Sequence, residues 1–141
     1  MINKSSSIAL DTTAYSHLVR GNKEMAALLT GAGTIVVPHH TVAELKSGFA
    51  FGSRQQENEA KLTRFLAADR VMLVYPNEVT TDYYVALFSH ARRSGRQLSH
   101  NDLWIAALAL QHQAELCSFD QDFAALASFD GFRLHQLRPG I

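Results

Sequence analysis

The chain has 141 residues, enough for one domain with a sizeable core, and is 47% hydrophobic with only 18% charged residues. Lys+Arg and Asp+Glu both total 13, so the net charge does not announce a polyanionic partner, although a balanced total can hide a basic rim around an acidic pocket. The polar start MINKSSSIALD lacks the apolar core of a signal peptide, nothing approaches the roughly 18 apolar residues of a membrane span, and the lone Cys117 cannot close an internal disulfide. These features predict a soluble cytoplasmic protein of one domain, residues 1–141, with no membrane association and no redox role.

Short β-type runs alternate with longer helical patterns, as in a mostly parallel sheet covered by helices. SIAL, just before Asp11, is the first predicted strand; Thr13 to Val19 and Lys23 to Leu29 then read as short helices with exits at Gly21 and Gly31. TIVV before Pro38 is the second strand. The next helix opens near Thr41 as N-cap, with Glu44 at the T-x-x-E spacing of a capping box, which places Glu44 in a first turn. SRQQENEAKLTRFLAAD follows as a surface helix that docks through Leu62, Phe65 and Leu66. VMLVY is the third strand. Val79, Tyr83, Leu87 and Ala91 recur at helical spacing between Glu78 and Arg93, and Gly95 closes that helix. Ser99 caps the next one, whose apolar run from Leu103 to Leu110 predicts the most buried helix, with Trp104, Ile105 and Leu108 in the core. ELCSF before Asp120 and FRLHQL complete a five-stranded α/β sheet.

In such a sheet, residues just past a strand and residues opening the following helix share one edge, and ligands bind there. Asp11, Glu44, Asp102 and Asp120 all satisfy that geometry. If the winding reverses after the third strand, the first and fourth strands become neighbours and Asp11 and Asp120 flank the crevice between their ends. Any one acid near a helix start is equally explained by the macrodipole or, for Glu44, by its capping box. Asp11 and Asp120, however, follow strongly apolar strands where a structural carboxylate has no evident partner. Carboxylates gathered without basic partners suit a hard divalent cation, magnesium or manganese, which binds oxygen donors and assists phosphodiester hydrolysis.

Other groups read differently. Of the seven histidines, His39, His40 and His100 fall near the same edge, but no zinc-type ligand spacing is present. Asp122 suits the first turn of QDFAALA as a helix-dipole acid, with a further metal contact as the alternative. Phe49 and Phe51 are candidates for a dimer surface, and Cys117 for a small buried hydrophobe.

The segments IALDTTAYSHLVRGN, TVAELKSGF, LSHNDLWIAALAL and LCSFDQDFAAL resemble, in order and over nearly the whole chain, the four motifs of PIN-domain ribonucleases, most closely the VapC-type toxins of toxin–antitoxin pairs. The resemblance implies a three-layer α/β/α fold with a five-stranded parallel sheet, and a magnesium- or manganese-dependent endoribonuclease whose catalytic and metal-holding acids are Asp11, Glu44, Asp102 and Asp120. It further implies that Thr12, Thr13 and Ser118 orient these acids and that Asn101 shapes the pocket. A homodimer and a cognate antitoxin are the implied partners. Two departures stand out: Thr13 occupies a position where relatives carry Asn or Ser, and QHQAEL precedes the fourth strand where relatives have glycine and small residues. For RNA contact, Lys46, Arg54, Arg92, Arg93, Arg96 and His100 are the candidates, against a solvated charged face as the plainer reading. A PIN-like module that binds RNA or protein without cutting is the rival class.

Overall fold

The computed structural model describes residues 6–139; residues 1–5, which open the polar N-terminal stretch, lie outside the described part, as do residues 140–141. Five strands, β1 (Ser7–Leu10), β2 (Thr34–Pro38), β3 (Val71–Val74), β4 (Glu115–Ser118) and β5 (Leu134–Gln136), form one sheet in the order β3-β2-β1-β4-β5. Every neighbouring pair is parallel, with Ala9 registered against Val36 on one side and Leu116 on the other. The winding does reverse between β3 and β4, so β1 and β4 are neighbours and the crevice lies between their carboxyl ends.

The strands read as unbroken apolar runs because both faces of the sheet are covered. Along β1 and β2, Ala9 and Val36 face one core, while Ile8, Leu10, Ile35 and Val37 face the other. The first core packs beneath helices α5 (Glu78–Arg93) and α6 (His100–Gln111). The second packs beneath α1 (Thr12–Val19), α2 (Lys23–Gly31), α3 (His39–Phe51) and α4 (Gln55–Leu66). α6 is buried from Ile105 through Ala109, as its sequence predicts, and each fully buried Leu or Ile contributes roughly 1.5–3 kcal/mol of burial. Leu116, fully buried in β4 beside β1, is the sort of position where truncation to Ala costs about 2–5 kcal/mol.

Several boundaries differ from expectation for local reasons. α3 begins at His39 behind Pro38, with no side-chain cap, so Thr41 is not an N-cap and Glu44 does not close a capping box. The Thr41 hydroxyl is fully buried and donates to the Leu10 carbonyl at 2.9 Å, tying α3 to the end of β1. Glu44 thus sits one turn further into its helix than the spacing suggests. α2 runs to Gly31 and exits at Ala32 in an extended conformation, so Gly31 is its last residue rather than a left-handed exit. At Gly21 and Gly95 the backbone is left-handed (φ +92° and +74°), which explains those two helix ends. Trp104 is half-buried rather than core, lying between the rings of His40 and Tyr84. QDFAALA forms a short 3-10 helix, Gln121–Leu126. Among the described residues, no helix is long and apolar enough to cross a membrane.

Candidate active site

Asp11 leaves β1 and caps α1, and three donors converge on its carboxylate. The Ala14 backbone N–H and the Thr13 hydroxyl each donate to Oδ1 at 2.8 Å, and the Ser118 hydroxyl, at the end of β4, donates to Oδ2 at 2.5 Å. The same two hydroxyls accept in turn: Phe119 N–H donates to Thr13 Oγ1 and Asp120 N–H to Ser118 Oγ, each at 2.9 Å. The exits of β1 and β4 are therefore stitched together through the side chains that hold Asp11. Asp120 caps the 3-10 helix by accepting the Asp122 N–H at 2.9 Å. Both acids thus have structural partners, which corrects the expectation that carboxylates at these strand ends lack them. Burial nonetheless raises the Asp11 carboxyl above its ordinary range, outweighing the three hydrogen bonds, with Asp120 adding repulsion.

Glu44 approaches from α3 and accepts the Thr12 hydroxyl at 2.6 Å, a short charge-assisted bond. Asp102 comes from the first turn of α6, where Ser99 accepts its backbone N–H at 3.1 Å, as the capping pattern predicts. The Asp102 carboxyl is pushed up to about 6, first by burial and then by Asp120, with Glu44 and Asp11 adding to the repulsion. That ordering places all four predicted acids in one electrostatic neighbourhood. Oxygens of Asp102, Asp120 and Asp122 lie within 4.8 Å of one another, so Asp122 joins the cluster while also occupying a first turn.

Among the described residues, no lysine or arginine is paired with this group: the ion pairs are Lys61–Glu57, His135–Glu24 and His135–Glu115, all elsewhere. The donor set fits a hard divalent cation: every candidate ligand is a carboxylate oxygen, and those of Asp102, Asp120 and Asp122 all lie within 4.8 Å of one another, near enough to share one ion. Histidine does not enter the set. His40 stacks on Trp104 and burial lowers its pKa, while His100 is hydrogen-bonded through Nδ1 to the Tyr84 hydroxyl. Cys117 is fully buried and its thiol is pushed up to about 12, leaving it unreactive.

The expected orienting roles have definite partners in Thr12, Thr13 and Ser118. Asn101 is half-buried beside Asp102 at the start of α6. The basic candidates separate into groups. Arg92, Arg96 and His100 line one cavity, Arg54 lines another against α1 and α3, and Lys46 and Arg93 are exposed outside both. Sequence reasoning gave Thr41 a capping role in place of its tertiary bond to the Leu10 carbonyl, and passed over Tyr84, which its spacing with Phe88 and Arg92 on one face of α5 could have revealed.

A PIN domain family model matches residues 8–128. Ribonuclease VapC1 of Haemophilus influenzae (strain R2866) is 33% identical over 111 residues, covering 76% of this chain and 81% of that protein. Ribonuclease VapC5 of Mycobacterium tuberculosis is 29% identical over 118 residues, covering 83% and 85%. Among solved structures, VapBC2 from Rickettsia felis bound to a promoter DNA fragment superposes with a TM-score of 0.78 at 21% identity, over 93% of this chain and 98% of the matched one. VapBC-1 from nontypeable Haemophilus influenzae gives 0.76 at 24% identity, over 92% and 97%. The structural likeness shows the fold, the family match and the sequence relatives show the lineage, and the chain belongs to the PIN-domain family, among its VapC-type ribonucleases.

Proposed function

We propose that this chain is a divalent-cation-dependent endoribonuclease, the toxin of a toxin–antitoxin pair, acting on RNA in the cytoplasm. One observation carries the catalytic part: the Asp102, Asp120 and Asp122 oxygens gather within 4.8 Å of one another, Glu44 and Asp11 are near enough to add repulsion at Asp102, and among the described residues no lysine or arginine pairs with any of them. Asp11, Glu44, Asp102 and Asp120 are the residues assigned to hold magnesium or manganese, with Asp122 within reach of the same position. A cation held there would supply a water of lowered pKa and charge neutralisation at a phosphoryl oxygen.

The chain's own residues do the rest. Thr13, Ser118 and the Ala14 N–H fix the Asp11 carboxylate, and Thr12 fixes Glu44, so these ligands need no reordering when substrate arrives. Asp102, its carboxyl raised to about 6 by burial and by the neighbouring acids, would be held in its ionised form by a cation in the cluster. Before that, the pocket repels phosphate, which makes RNA binding at the acids depend on the cation.

The antitoxin partner is inferred from the VapBC complexes formed by the structural relatives. Phe51, 97% exposed at the end of α3, supports an apolar contact with a second chain, consistent with a homodimer. Incubating the purified chain with RNA in magnesium or manganese, then with a chelator, tests the catalytic reading. Cleavage is expected only with the cation, and cutting that persists in metal-free buffer overturns the scheme.

A further inference from the structure

Resting on the ribonuclease reading above, we propose that the cavity between the end of α5 and the loop leading into α6 seats one unpaired base of the RNA, next to the bond being cut. The cavity measures about 220 Å³ and is lined by Phe88, Arg92, Arg96, Leu98, His100 and Leu103, among others. Pockets that bury a drug-sized ligand run to roughly 300–1,000 Å³, so this one suits a single ring system rather than a whole nucleotide. Its chemistry is that of single-strand recognition. The Arg92 guanidinium lies 5.5 Å from the Phe88 ring centroid, a cation–π pair that sets cationic and aromatic surface side by side in the lining, the two kinds of surface on which unpaired bases stack.

Arg96 adds a second cation at the rim for the flanking phosphate, and no carboxylate is among the lining residues. Tyr84 backs the cavity from α5. Its ring is within 12° of parallel to Phe88 and within 14° of parallel to His100, and its hydroxyl bonds His100 Nδ1, which holds that imidazole in place. His100 precedes Asp102 by two residues in the first turn of α6, about 3 Å along the axis but roughly 200° around it. The cavity and the acids therefore flank the start of α6 from different sides, and a single strand passing over that helix end would seat a base in one while its backbone runs toward the other. A base paired in a duplex cannot turn its face into such a recess, so the substrate must be unpaired at this position.

Steady-state cleavage of a short single-stranded RNA by the full chain tests this, comparing wild type with Phe88→Leu, which keeps apolar bulk but removes the ring, and with Arg92→Gln/Arg96→Gln. Phe88→Leu is expected to raise KM about five- to a hundredfold, the span of one base–aromatic stack, with kcat within about twofold. The arginine variant is expected to raise KM and flatten its salt dependence. An RNA carrying an abasic position beside the cleaved bond should be handled alike by wild type and Phe88→Leu. If wild type cuts and both variants keep its KM, the subsite is overturned while the ribonuclease reading stands. The subsite is equally overturned if Phe88→Leu converts a dimer to a monomer in light scattering with KM unchanged, since the cavity then belongs to a protein contact. If wild type cuts no RNA with either cation, both readings fall.

Discussion

The two sides of the acidic crevice are built on different principles. On the β1 side, Asp11 and Glu44 are held by hydroxyls and a backbone N–H supplied by the fold itself. On the α6 side, Asp102, Asp120 and Asp122 crowd together with helix caps for anchorage and no charge partner. The first side is preorganised; the second carries mutual repulsion that the proposed cation would relieve. Stability and activity should therefore respond with opposite signs on the second side and with the same sign on the first.

Replacing Asp102 by Asn gives the largest contrast. RNA cleavage is expected to fall by roughly 10²-fold or more, since a ligand is lost, while the metal-free protein melts higher because one repelling charge is gone. A lower Tm accompanying that loss would contradict the division. Asp11→Asn, on the preorganised side, should abolish cleavage and also lower Tm, since an amide NH2 cannot accept and so leaves one of the three donors unmatched, while circular dichroism still shows the folded chain.

Ser118→Ala probes the preorganised side. It removes a buried donor to Asp11 and the acceptor for the Asp120 N–H, so a stability loss of about 1–3 kcal/mol is expected together with roughly 10–100-fold weaker cation binding. Denaturant titration and isothermal titration with manganese would read the two effects.

The pH dependence follows from Asp102. Its folded carboxyl, raised to about 6 against roughly 3.9 for a free aspartate, favours the folded state while protonated. That contribution is present below about pH 4 and lost as pH rises towards 6, on the order of 1 kcal/mol after solvent screening. Added magnesium should therefore raise Tm much more at pH 8 than at pH 5, and Asp102→Asn should flatten this difference. The smallest effect belongs to Thr12→Val, which frees Glu44 without unfolding anything. A several-fold drop in kcat is expected, and an unchanged rate would show that Glu44 needs no fixing.

Much of this was legible in the sequence because parallel-sheet topology ties position along the chain to position in space. Apolar strands ending at Asp11 and Asp120, and Ser99 capping the helix that carries Asp102, sufficed to place three acids at one edge. Glu44 was placed at the right edge through the wrong device, because the T-x-x-E spacing is local whereas the hydroxyls of Thr41 and Thr12 make contacts 31 and 32 residues away. Trp104 was read as core from its apolar neighbours, yet the ring surface it shares with His40 and Tyr84 depends on how α3, α5 and α6 pack, which periodicity within one helix does not encode. The α5 cavity escaped for the same reason, since Arg92 and His100 meet only after the intervening loop has turned.

The three donors around Asp11 also limit how that residue can bind a cation. A carboxylate offers about four lone-pair directions, and three are already occupied. One remains, so Asp11 can act only as a monodentate ligand. Calcium, which favours six to eight oxygens and often a bidentate carboxylate, is poorly served by that arrangement, whereas a small octahedral ion that keeps its own waters loses nothing. If Asp11 is a ligand as proposed, metal discrimination in this crevice would be set in part by hydroxyl groups that need never touch the metal.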